Sequence, residues 1–452
     1  MKFCTMTLGC KVNQYDTGTI AEVLRERGHT HVILGDGSDI CILNTCAVTG
    51  KSVIKSKKAI SRMKQLEPSA LIAVCGCYTQ LNAEAVGDLG VDLVSGTGDR
   101  YGFALKVEEL VNSKDKDKGT DLLSSVDKTE DLPLSLHIPL LDDTFEELQP
   151  GGSENRTRAL LKIQDGCDNY CSYCIVPYAR GSSRSLSIER ITEHAKKLAE
   201  QGYKEIVITG IEISSYGKDF LQEDMEAPTL MTAIKAINSA APNARLRLGS
   251  LDPAVMTSDF CAELSKIPNM CNHFHLSVQS GSDRILKKMR RKYTVLQAMR
   301  SIDVVRSHFV DCGITSDIIV GFPGETESDF EQTLNFIKST NLSEVHIFPY
   351  SKRPGTKAAQ MPDQVDKKVN DDRVERATFF AKLSAHEFMR SQVGKTVEVL
   401  FENEEDGYSV GHSGNYLKIK VEGSIERNTI RDVKITDVEM KYKKPTLYGE
   451  IV

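Results

Sequence analysis

The sequence lacks the long hydrophobic segments that mark membrane and secreted proteins. No run of eighteen apolar residues occurs in the 452 residues, and no apolar, signal-like stretch stands at the start. A positive charge excess is also missing, because 57 Lys and Arg face 63 Asp and Glu. The first absence predicts a cytosolic protein that does not contact a membrane. The second excludes a global attraction for nucleic acid, so any RNA site must be a local basic patch.

Cysteine, in contrast, is plentiful, with twelve residues in the chain. In a reducing compartment, clustered cysteines are metal ligands more often than disulfides. Cys167, Cys171 and Cys174 form a C-x3-C-x2-C run. A [4Fe-4S] cube normally takes one cysteine per iron, so three close cysteines leave one iron open to a substrate. Zinc is the alternative, but its structural sites usually carry paired cysteines and further ligands, and neither a second pair nor a nearby His follows Cys174.

This run resembles the signature of the radical S-adenosylmethionine (SAM) superfamily in its spacing and in Tyr173 before the last cysteine. The resemblance implies that the open iron binds the amino and carboxylate groups of SAM. One electron from the cluster would then cleave SAM to a 5′-deoxyadenosyl radical, which abstracts hydrogen from an unreactive carbon.

The length of the chain fits about three domains, and its apolar patterns predict an α/β protein. Residues 1–112 alternate strands with helices and predict an open parallel sheet, and residues 113–155 predict a linker with one short ordered piece. Residues 156–388 predict a partial (β/α)6 barrel, and residues 389–452 a small OB-like β-barrel. Predicted strands span residues 3–8, 40–43, 71–74, 159–163, 205–209, 245–248, 273–278, 314–320, 344–348, 396–401, 416–421, 433–438 and 447–451.

Three further cysteines, Cys10, Cys46 and Cys77, each follow an apolar strand of the first domain. Ligands of open parallel sheets bind beyond the carboxyl ends of the strands, so these cysteines are expected to converge. Cys75 competes with Cys77 because both have the same strand parity, but the position after Gly76 favours Cys77. Three ligands without a fourth predict a second cluster with an open iron. Cys4, Cys41 and Cys75 are interpreted as small core residues.

Two three-cysteine sites on one chain resemble the methylthiotransferase family. The segments that carry the likeness are LGCKVNQYD at 8–16, NTCAVT at 44–49 and YARGSSRS at 178–185, and it covers essentially the whole chain. They look most like the branch that adds a methylthio group to N6-threonylcarbamoyladenosine beside the tRNA anticodon. The final segment looks like the TRAM domain of the family, a small β-barrel for tRNA. Related branches act on isopentenyladenosine in tRNA or on a ribosomal protein side chain.

The resemblance implies two [4Fe-4S] clusters and two uses of SAM. One SAM donates a methyl group to a sulfur on the auxiliary cluster of Cys10, Cys46 and Cys77. The other yields the radical that activates the C2–H of adenine. The expected partners are the tRNA anticodon stem-loop, SAM and an electron donor such as flavodoxin or ferredoxin. A non-enzymatic iron–sulfur protein that binds RNA is the alternative from another class.

The SAM site is expected at the carboxyl ends of the barrel strands. Residues 321–325 (GFPGE) resemble the adenine-contacting turn of the superfamily, and an ordinary Gly/Pro turn is the alternative. Asp317 in the preceding strand is expected to point into the barrel. For each polar candidate, plain structural hydrogen bonding is the alternative to ligand contact. The candidate SAM contacts are Thr209, Gly210, Glu212, Ser250, Asp252, Ser277, Gln279, Gly321 and Arg180.

Two local basic runs stand out against the acidic total, one after Cys46 and one after the fourth barrel strand. As phosphate contacts they would position tRNA, whereas the alternative is a solvated helix face. The C-terminal segment is not basic, so its RNA-binding role rests on the resemblance. Its candidates for stacking or hydrogen bonding, with a core position as the alternative, are Tyr408, Asn415 and Tyr416. The candidate tRNA contacts are Lys51, Lys55, Lys58, Arg62, Arg290, Arg291 and Lys292.

Overall fold

The computed structural model describes residues 1–119, 135–141, 143–151, 157–220, 227–440 and 445–452. These residues form two compact units. The first unit combines the N-terminal part of the chain with Asp165–Asn169 and Cys174–Ser185, and the second holds the rest, including Tyr170–Tyr173. The cysteine loop is therefore shared between the units, and the predicted barrel domain falls into one unit with the C-terminal segment. Among the described residues, no helix is long and apolar enough to cross a membrane.

The first unit is built on a parallel six-stranded sheet with the order β2-β1-β3-β4-β5-β6. Strands β3 and β4 are buried at every position, as expected for central strands covered on both faces. The elements are β1 (Lys2–Thr7), α1 (Lys11–Glu26), β2 (Thr30–His31), β3 (Ile40–Thr45), α2 (Gly50–Leu66), β4 (Leu71–Gly76), α3 (Cys77–Leu81), α4 (Ala83–Gly87), β5 (Leu93–Ser95), α5 (Arg100–Gly119) and β6 (Ser135–His137).

One apolar cluster covers each face of this sheet. Ile60 and Met63 of α2 lie in one cluster, while Leu24 of α1 and Phe103 of α5 lie in the other. The open parallel sheet expected from the sequence is confirmed. Cys4, Cys41 and Cys75 are buried among these core residues, as predicted.

Two pieces of the predicted linker belong to the first unit. Helix α5 continues past residue 112 to Gly119, and β6 pairs with β5 at the edge of the sheet. β6 is the short ordered piece that the sequence predicts. Residues 120–134, 142 and 152–156 lie outside the described residues.

In the second unit, parallel strands form two sheets, β11-β10-β7 and β12-β13-β14-β15, with helices between successive strands of these sheets except between β11 and β12. The elements of this part and of the cysteine loop are β7 (Arg158–Lys162), β8 (Gln164–Asp165), α6 (Val176–Arg180), β9 (Arg184–Ser185), α7 (Ile188–Glu200), β10 (Glu205–Thr209), α8 (Leu230–Ala240), β11 (Arg245–Leu248), β12 (Ser250–Leu251), α9 (Ser258–Leu264), β13 (His273–Gln279), α10 (Asp283–Met289), α11 (Val295–His308), β14 (Gly313–Val320), α12 (Glu327–Thr340), β15 (Glu344–Pro349) and α13 (Lys367–Arg390).

The C-terminal strands form a closed five-stranded barrel with the order β16-β17-β18-β20-β19. Val399, Phe401 and Val433 fill its interior. The small β-barrel predicted from the sequence is confirmed, although β17 was missed. Its strands are β16 (Thr396–Glu405), β17 (Tyr408–Ser413), β18 (Lys418–Glu422), β19 (Ile430–Met440) and β20 (Pro445–Ile451).

A buried ionic network joins the two β-structures of the second unit. Glu205 accepts hydrogen bonds from Arg245 at 2.7 Å and from Arg247 at 2.6 Å. Arg247 also donates to the carbonyl oxygens of Ser413 and Gly414 in the C-terminal barrel. Burial raises the pKa of Glu205, but the two arginines outweigh it and lower the pKa to about 2. Glu205 therefore stays ionised between two cations that also hold the barrel.

Tyr416 closes the amino-terminal ends of the parallel strands. Its ring stacks on His273 at 4.7 Å between centroids, and the guanidinium carbons of Arg158 and Arg247 lie 5.2 and 4.7 Å from the ring centroid. Asn415 beside it is buried. For Tyr416 and Asn415 the packing role, and not RNA stacking, is therefore the one that the structure supports.

We predict that Glu205→Gln destabilises the second unit by about 3–5 kcal/mol, because it leaves two buried arginines without their anion. The measurement is the free energy of unfolding from urea denaturation at pH 7. The folded-state pKa of about 2 lies below the ordinary pKa, so the stabilisation by Glu205 is complete above about pH 4.5 and declines as the pH falls towards 2.

The matched control is Glu193→Gln, which removes an exposed ion pair with Arg190 on α7. Exposed pairs contribute about 0–1 kcal/mol, so this variant should unfold almost like the wild type. Equal losses in the two variants would contradict a special role for the buried network.

Candidate active site

The three N-terminal cysteines converge beyond the carboxyl ends of β1, β3 and β4. The Oδ1 atom of Asn13 lies 3.9 Å from Cys10 Sγ and 3.8 Å from Cys77 Sγ. A Cβ atom placed on Gly9 would lie 3.1 Å from Cys46 Sγ. Cys46 and Cys77 are buried, whereas Cys10 is exposed. The three thiols thus form one group that remains open on the side of Cys10.

Glycine is required at two strand ends for this convergence. Gly9 and Gly76 have φ angles of 112° and 108°, in the region that side chains rarely adopt. A Cβ atom on Gly76 would lie 2.3 Å from Asn44 Oδ1 and 2.5 Å from the Thr45 carbonyl oxygen. The positive φ angles and these close contacts therefore disfavour any residue larger than glycine at the two positions.

The competition between Cys75 and Cys77 is decided by the backbone at Gly76. Cys75 ends in the apolar cluster of α1 and α5, whereas Cys77 begins α3 and lies in the opposite cluster. The shared strand parity expected from the sequence was wrong, because the positive φ of Gly76 sends the two side chains to opposite faces. Of the two cysteines, only Cys77 therefore lies with Cys10 and Cys46 in the group of three thiols.

A buried guanidinium lies beside this group. Arg180 Nε donates to Cys77 Sγ at 3.4 Å, and Arg180 Nη2 donates to Asn13 Oδ1 at 2.7 Å and to Asp16 at 2.8 Å. Its Nη1 donates to both carboxylate oxygens of Asp165 at 3.0 and 3.1 Å. Burial lowers the pKa of Arg180, but the neighbouring charges raise it well above its ordinary value. The thiol group therefore has a permanent cation next to it.

The expected pairing of Arg180 with SAM is corrected by these contacts. Its side chain is 1% exposed and is held by residues of the first unit. The sequence showed a cation after the cysteine loop but not the direction in which it points.

The arginine also fixes the start of the cysteine loop. Asp165 lies two residues before Cys167 and accepts a hydrogen bond from the Gly166 N–H at 2.8 Å. A Cβ atom on Gly166 would lie 1.8 Å from the Ser182 carbonyl oxygen, so only glycine fits. The Cys167 N–H donates to the Gly181 carbonyl oxygen at 3.1 Å. Cys167 and Cys174 are placed in the first unit, and Cys171 in the second.

A second arginine contacts a thiol in the second unit. Arg291 Nη1 donates to Cys171 Sγ at 3.4 Å, and Arg291 Nη2 donates to Asp252 at 3.0 Å and to the Ser277 carbonyl oxygen. Its side chain is only 7% exposed. Arg291 is therefore not a surface phosphate contact, which corrects the expectation from the basic run around it.

The other expected SAM contacts lie at or after strand ends in the second unit. Glu212 receives particular support: its N–H donates to Gln164 Oε1 at 2.8 Å, and burial and the charge of Asp252 raise its pKa. Two neighbouring carboxylates in such a place favour a cationic ligand, and SAM carries a sulfonium and an ammonium group. The positions so placed are Thr209, Gly210, Glu212, Ser250, Asp252, Ser277, Gln279 and Gly321.

The basic run after Cys46 forms a surface stripe. Thr49 caps α2 by accepting from the Ser52 N–H, so the helix starts four residues after the cysteine. The spacing of the basic residues along α2 is i, i+4, i+7 and i+11, which defines one helix face. The exposed basic positions of this stripe are Lys51, Lys55, Lys58 and Arg62, and Arg290 and Lys292 are exposed in the second unit.

Comparison with known proteins first defines the class of the chain. Residues 161–337 match the model of the radical SAM superfamily, and residues 2–96 match that of the uncharacterized protein family UPF0004. The fold is similar to that of the radical SAM methyltransferase TsrM from Kitasatospora setae, with a TM-score of 0.55, 14% identity and coverage of 79% of this chain and 77% of that chain. The chain is a radical SAM enzyme that uses [4Fe-4S] clusters and SAM.

Curated relatives identify the family. The chain is 36% identical to the threonylcarbamoyladenosine tRNA methylthiotransferase MtaB of Bacillus subtilis, over 92% of this chain and 90% of the relative. It is 32% identical to MtaB of Chlamydia pneumoniae over 100% and 98%. It is 37% identical to the tRNA-2-methylthio-N(6)-dimethylallyladenosine synthase of Thermoanaerobacter sp. strain X514 over 88% and 81%. The chain belongs to the tRNA methylthiotransferase family, which removes the non-enzymatic alternative.

The residues of the first unit fit the cluster that this family implies. Burial raises the pKa of the Cys77 thiol to about 11, so this thiol needs a metal to become a thiolate ligand. An anionic cluster would also be stabilised by Arg180 and by the N-terminus of α1, which begins directly after Cys10. Sequence reasoning missed Asn13, Asp16 and Asp165, although Asn13 and Asp16 stand within the segment 8–16 and Asp165 stands two residues before the C-x3-C-x2-C run.

We predict that Arg180→Lys lowers the reduction potential of the auxiliary cluster by tens of millivolts, because a hydrogen bond to a ligating sulfur is lost. The measurement is an EPR-monitored redox titration in a variant that lacks Cys167, Cys171 and Cys174. Only the auxiliary cluster contributes to the signal in that background.

Arg190→Lys, on the surface of α7, is the matched control for the same chemical change. Iron and sulfide content should remain near four per chain in both variants, since the three thiols are untouched. An unchanged potential in loaded Arg180→Lys would show that the guanidinium does not act on the cluster.

Proposed function

We propose that the protein adds a methylthio group to C2 of N6-threonylcarbamoyladenosine next to the anticodon of tRNA. The observation that carries the proposal is the near full-length similarity to relatives with that named activity, at 32–36% identity. The grouped thiols of Cys10, Cys46 and Cys77 support it, because a methylthiotransferase needs a second site besides the radical SAM loop.

Dimethylallyladenosine is the second candidate acceptor. Relatives named for that product are 37% identical to this chain, which is similar to the values for the first group. Overall similarity and coverage therefore support both acceptors, because relatives of either name cover 99–100% of this chain. The segments at 8–16, 44–49 and 178–185 favour the first acceptor.

The roles proposed for the side chains follow from the cofactors. When bound, the clusters and SAM would supply the methyl group, the site that holds the sulfur, and the radical. Cys10, Cys46 and Cys77 would hold the auxiliary cluster, and Cys167, Cys171 and Cys174 the radical SAM cluster. Arg180 and Arg291 would each donate to one ligating sulfur, and Glu212 and Asp252 would bind the cationic groups of SAM. The reaction further needs an electron donor of the flavodoxin or ferredoxin kind, in the cytosol.

The proposed domains keep the division into a methylthiotransferase domain at 1–112, a linker at 113–155, of which the end of α5 and β6 belong to the first unit, a radical SAM domain at 156–388 and a TRAM-like barrel at 389–452. Helix α13, which ends at Arg390, supports the last boundary within two residues.

The reconstituted protein tests the function directly. With reductant, SAM and an anticodon stem-loop carrying threonylcarbamoyladenosine, we expect the methylthio product by nucleoside mass spectrometry. Cys171→Ala should abolish the formation of 5′-deoxyadenosine, whereas Cys46→Ala should retain much of it but lose methylthio transfer.

Cys312→Ala, a buried thiol outside both groups, is the matched control and should retain both activities. Methylthio transfer only to a dimethylallyladenosine stem-loop would reject the proposed acceptor. Loss of both products in Cys46→Ala would argue against two separate sites.

The α2 stripe is proposed to contact tRNA phosphates. Replacing Lys51, Lys55, Lys58 and Arg62 with Gln should flatten the dependence of log K on log salt by about 0.7–0.9 per lost phosphate contact. This slope is measured by fluorescence anisotropy of the stem-loop at salt concentrations from about 50 to about 300 mM.

Lys57→Gln is the matched control, because Lys57 is exposed on another face of the same helix. Its salt slope should equal that of the wild type. An unchanged slope in the fourfold variant would assign the stripe to solvent alone.

A further inference from the structure

The inner face of the parallel strands in the second unit can be identified from contacts at their amino-terminal ends. Tyr416 touches Arg158 of β7, Arg247 of β11 and His273 of β13. These strands therefore direct those residues towards one common lumen. Alternate residues of a strand share a face, so His275 of β13 also points into the lumen, whereas Phe274 and Leu276 are buried on the helix side.

Three polar side chains form a layer on this inner wall. His275, Asp317 and His346 lie on the adjacent strands β13, β14 and β15, and Asp317 is the direct neighbour of His346 in the sheet. Their nitrogen and oxygen atoms lie within 4.8 Å of one another. The orientation of Asp317 expected from the sequence agrees with this position.

His275 lies next to the carboxylate of Asp317. Its Nε2 lies 3.3 Å from Asp317 Oδ2, and its Nδ1 lies 2.8 Å from the Thr315 hydroxyl. A neighbouring carboxylate favours the proton on Nε2, which leaves Nδ1 to accept from Thr315. The side chains of Asp317 and His346 remain 31% and 43% exposed. An anchored acceptor and a donor thus stand side by side in the lumen.

We propose that Asp317 and His346 bind the threonylcarbamoyl substituent of the substrate adenosine, with His275 as a positioning residue. An imidazole N–H of His346 donates to the threonine carboxylate, and Asp317 accepts from the threonine hydroxyl. This inference rests on the proposed function, and it assigns the choice of acceptor to three named side chains.

The two candidate substituents differ in polarity, which the side chains of this wall can distinguish. Threonylcarbamoyl carries a carboxylate and a hydroxyl, whereas dimethylallyl is a hydrocarbon. Covering Asp317 and His346 with a hydrocarbon would remove their water without replacing its hydrogen bonds. Sites built for hydrogen bonding reject analogues that lack the polar group far more strongly than apolar pockets reject an extra methylene.

The position of the layer also suits a substituent of a base that reacts above it. Ser277, expected to contact SAM, lies two residues after His275 on β13, towards the carboxyl end, where the register with β14 becomes irregular. Two residues of strand correspond to roughly 7 Å, so His275 lies about that far below Ser277. A group on the adenine ring thus has a wall of its own, separate from the residues expected to bind SAM.

The test compares the loaded enzyme on three stem-loops, which carry threonylcarbamoyl-, glycinylcarbamoyl- and dimethylallyladenosine. His346→Leu should lower kcat/KM for the first by about tenfold or more, the equivalent of a hydrogen bond to a charged group. His346→Gln, which keeps an N–H donor, should recover part of this loss. Asp317→Asn should reduce the preference for threonylcarbamoyl over glycinylcarbamoyl, which lacks the hydroxyl.

His308→Leu, on α11, is the matched control and should keep the preferences of the wild type. Iron content verifies that each variant carries its clusters. A wild type without activity on threonylcarbamoyladenosine would reject the proposed function itself. An active wild type whose preferences survive in both His346→Leu and Asp317→Asn would overturn only the present inference. The inference would also be overturned if the wild type bound one Co²⁺ that His346→Leu lost while the substrate preferences stayed unchanged. The three side chains would then be a metal site.

Discussion

The hydrogen bonds of the Arg180 guanidinium are the interaction on which the first unit depends. Its donors reach Cys77, Asp165, and Asn13 and Asp16 of α1, which come from three separate segments of the chain. A planar guanidinium with five N–H groups can satisfy several acceptors at fixed angles, which a lysine ammonium cannot do in the same geometry. The desolvation of this cation is offset because two buried carboxylates accompany it. One side chain therefore holds the thiol group and the start of the cysteine loop in place together.

The charged side chains around this arginine balance one another without the thiols. Arg100, Arg180 and Arg184 approach Asp16, Glu146 and Asp165 in one buried network. Three cations and three anions balance before any thiolate is counted. Cysteines that become metal ligands add negative charge. The guanidinium of Arg180, which donates to Cys77 Sγ, then raises the electron affinity of the cluster. Burial makes that effect larger than it would be in water.

The sequence allowed the elements and the cysteines to be predicted because both leave local patterns. Buried parallel strands such as β3 and β4 are continuous apolar runs, and the C-x3-C-x2-C spacing is short enough to define a loop. β17, with the sequence YSVGHS, has no such run and was missed. Arg180 and Arg291 were misassigned because the direction of a long side chain is decided by distant partners. The opposite placement of Cys75 and Cys77 depends on a single φ angle at Gly76.

Substrate choice belongs to the part of the fold that local patterns cannot show. The cysteines and the residues around them serve chemistry that relatives with different named acceptors share, so they cannot distinguish threonylcarbamoyl from dimethylallyl groups. Discrimination needs side chains that face the substrate without holding a cofactor. His275, Asp317 and His346 meet only because three parallel strands bring distant positions into register. A polar layer of this kind discriminates twice, since it attracts a polar substituent and penalises an apolar one that would strip it of water.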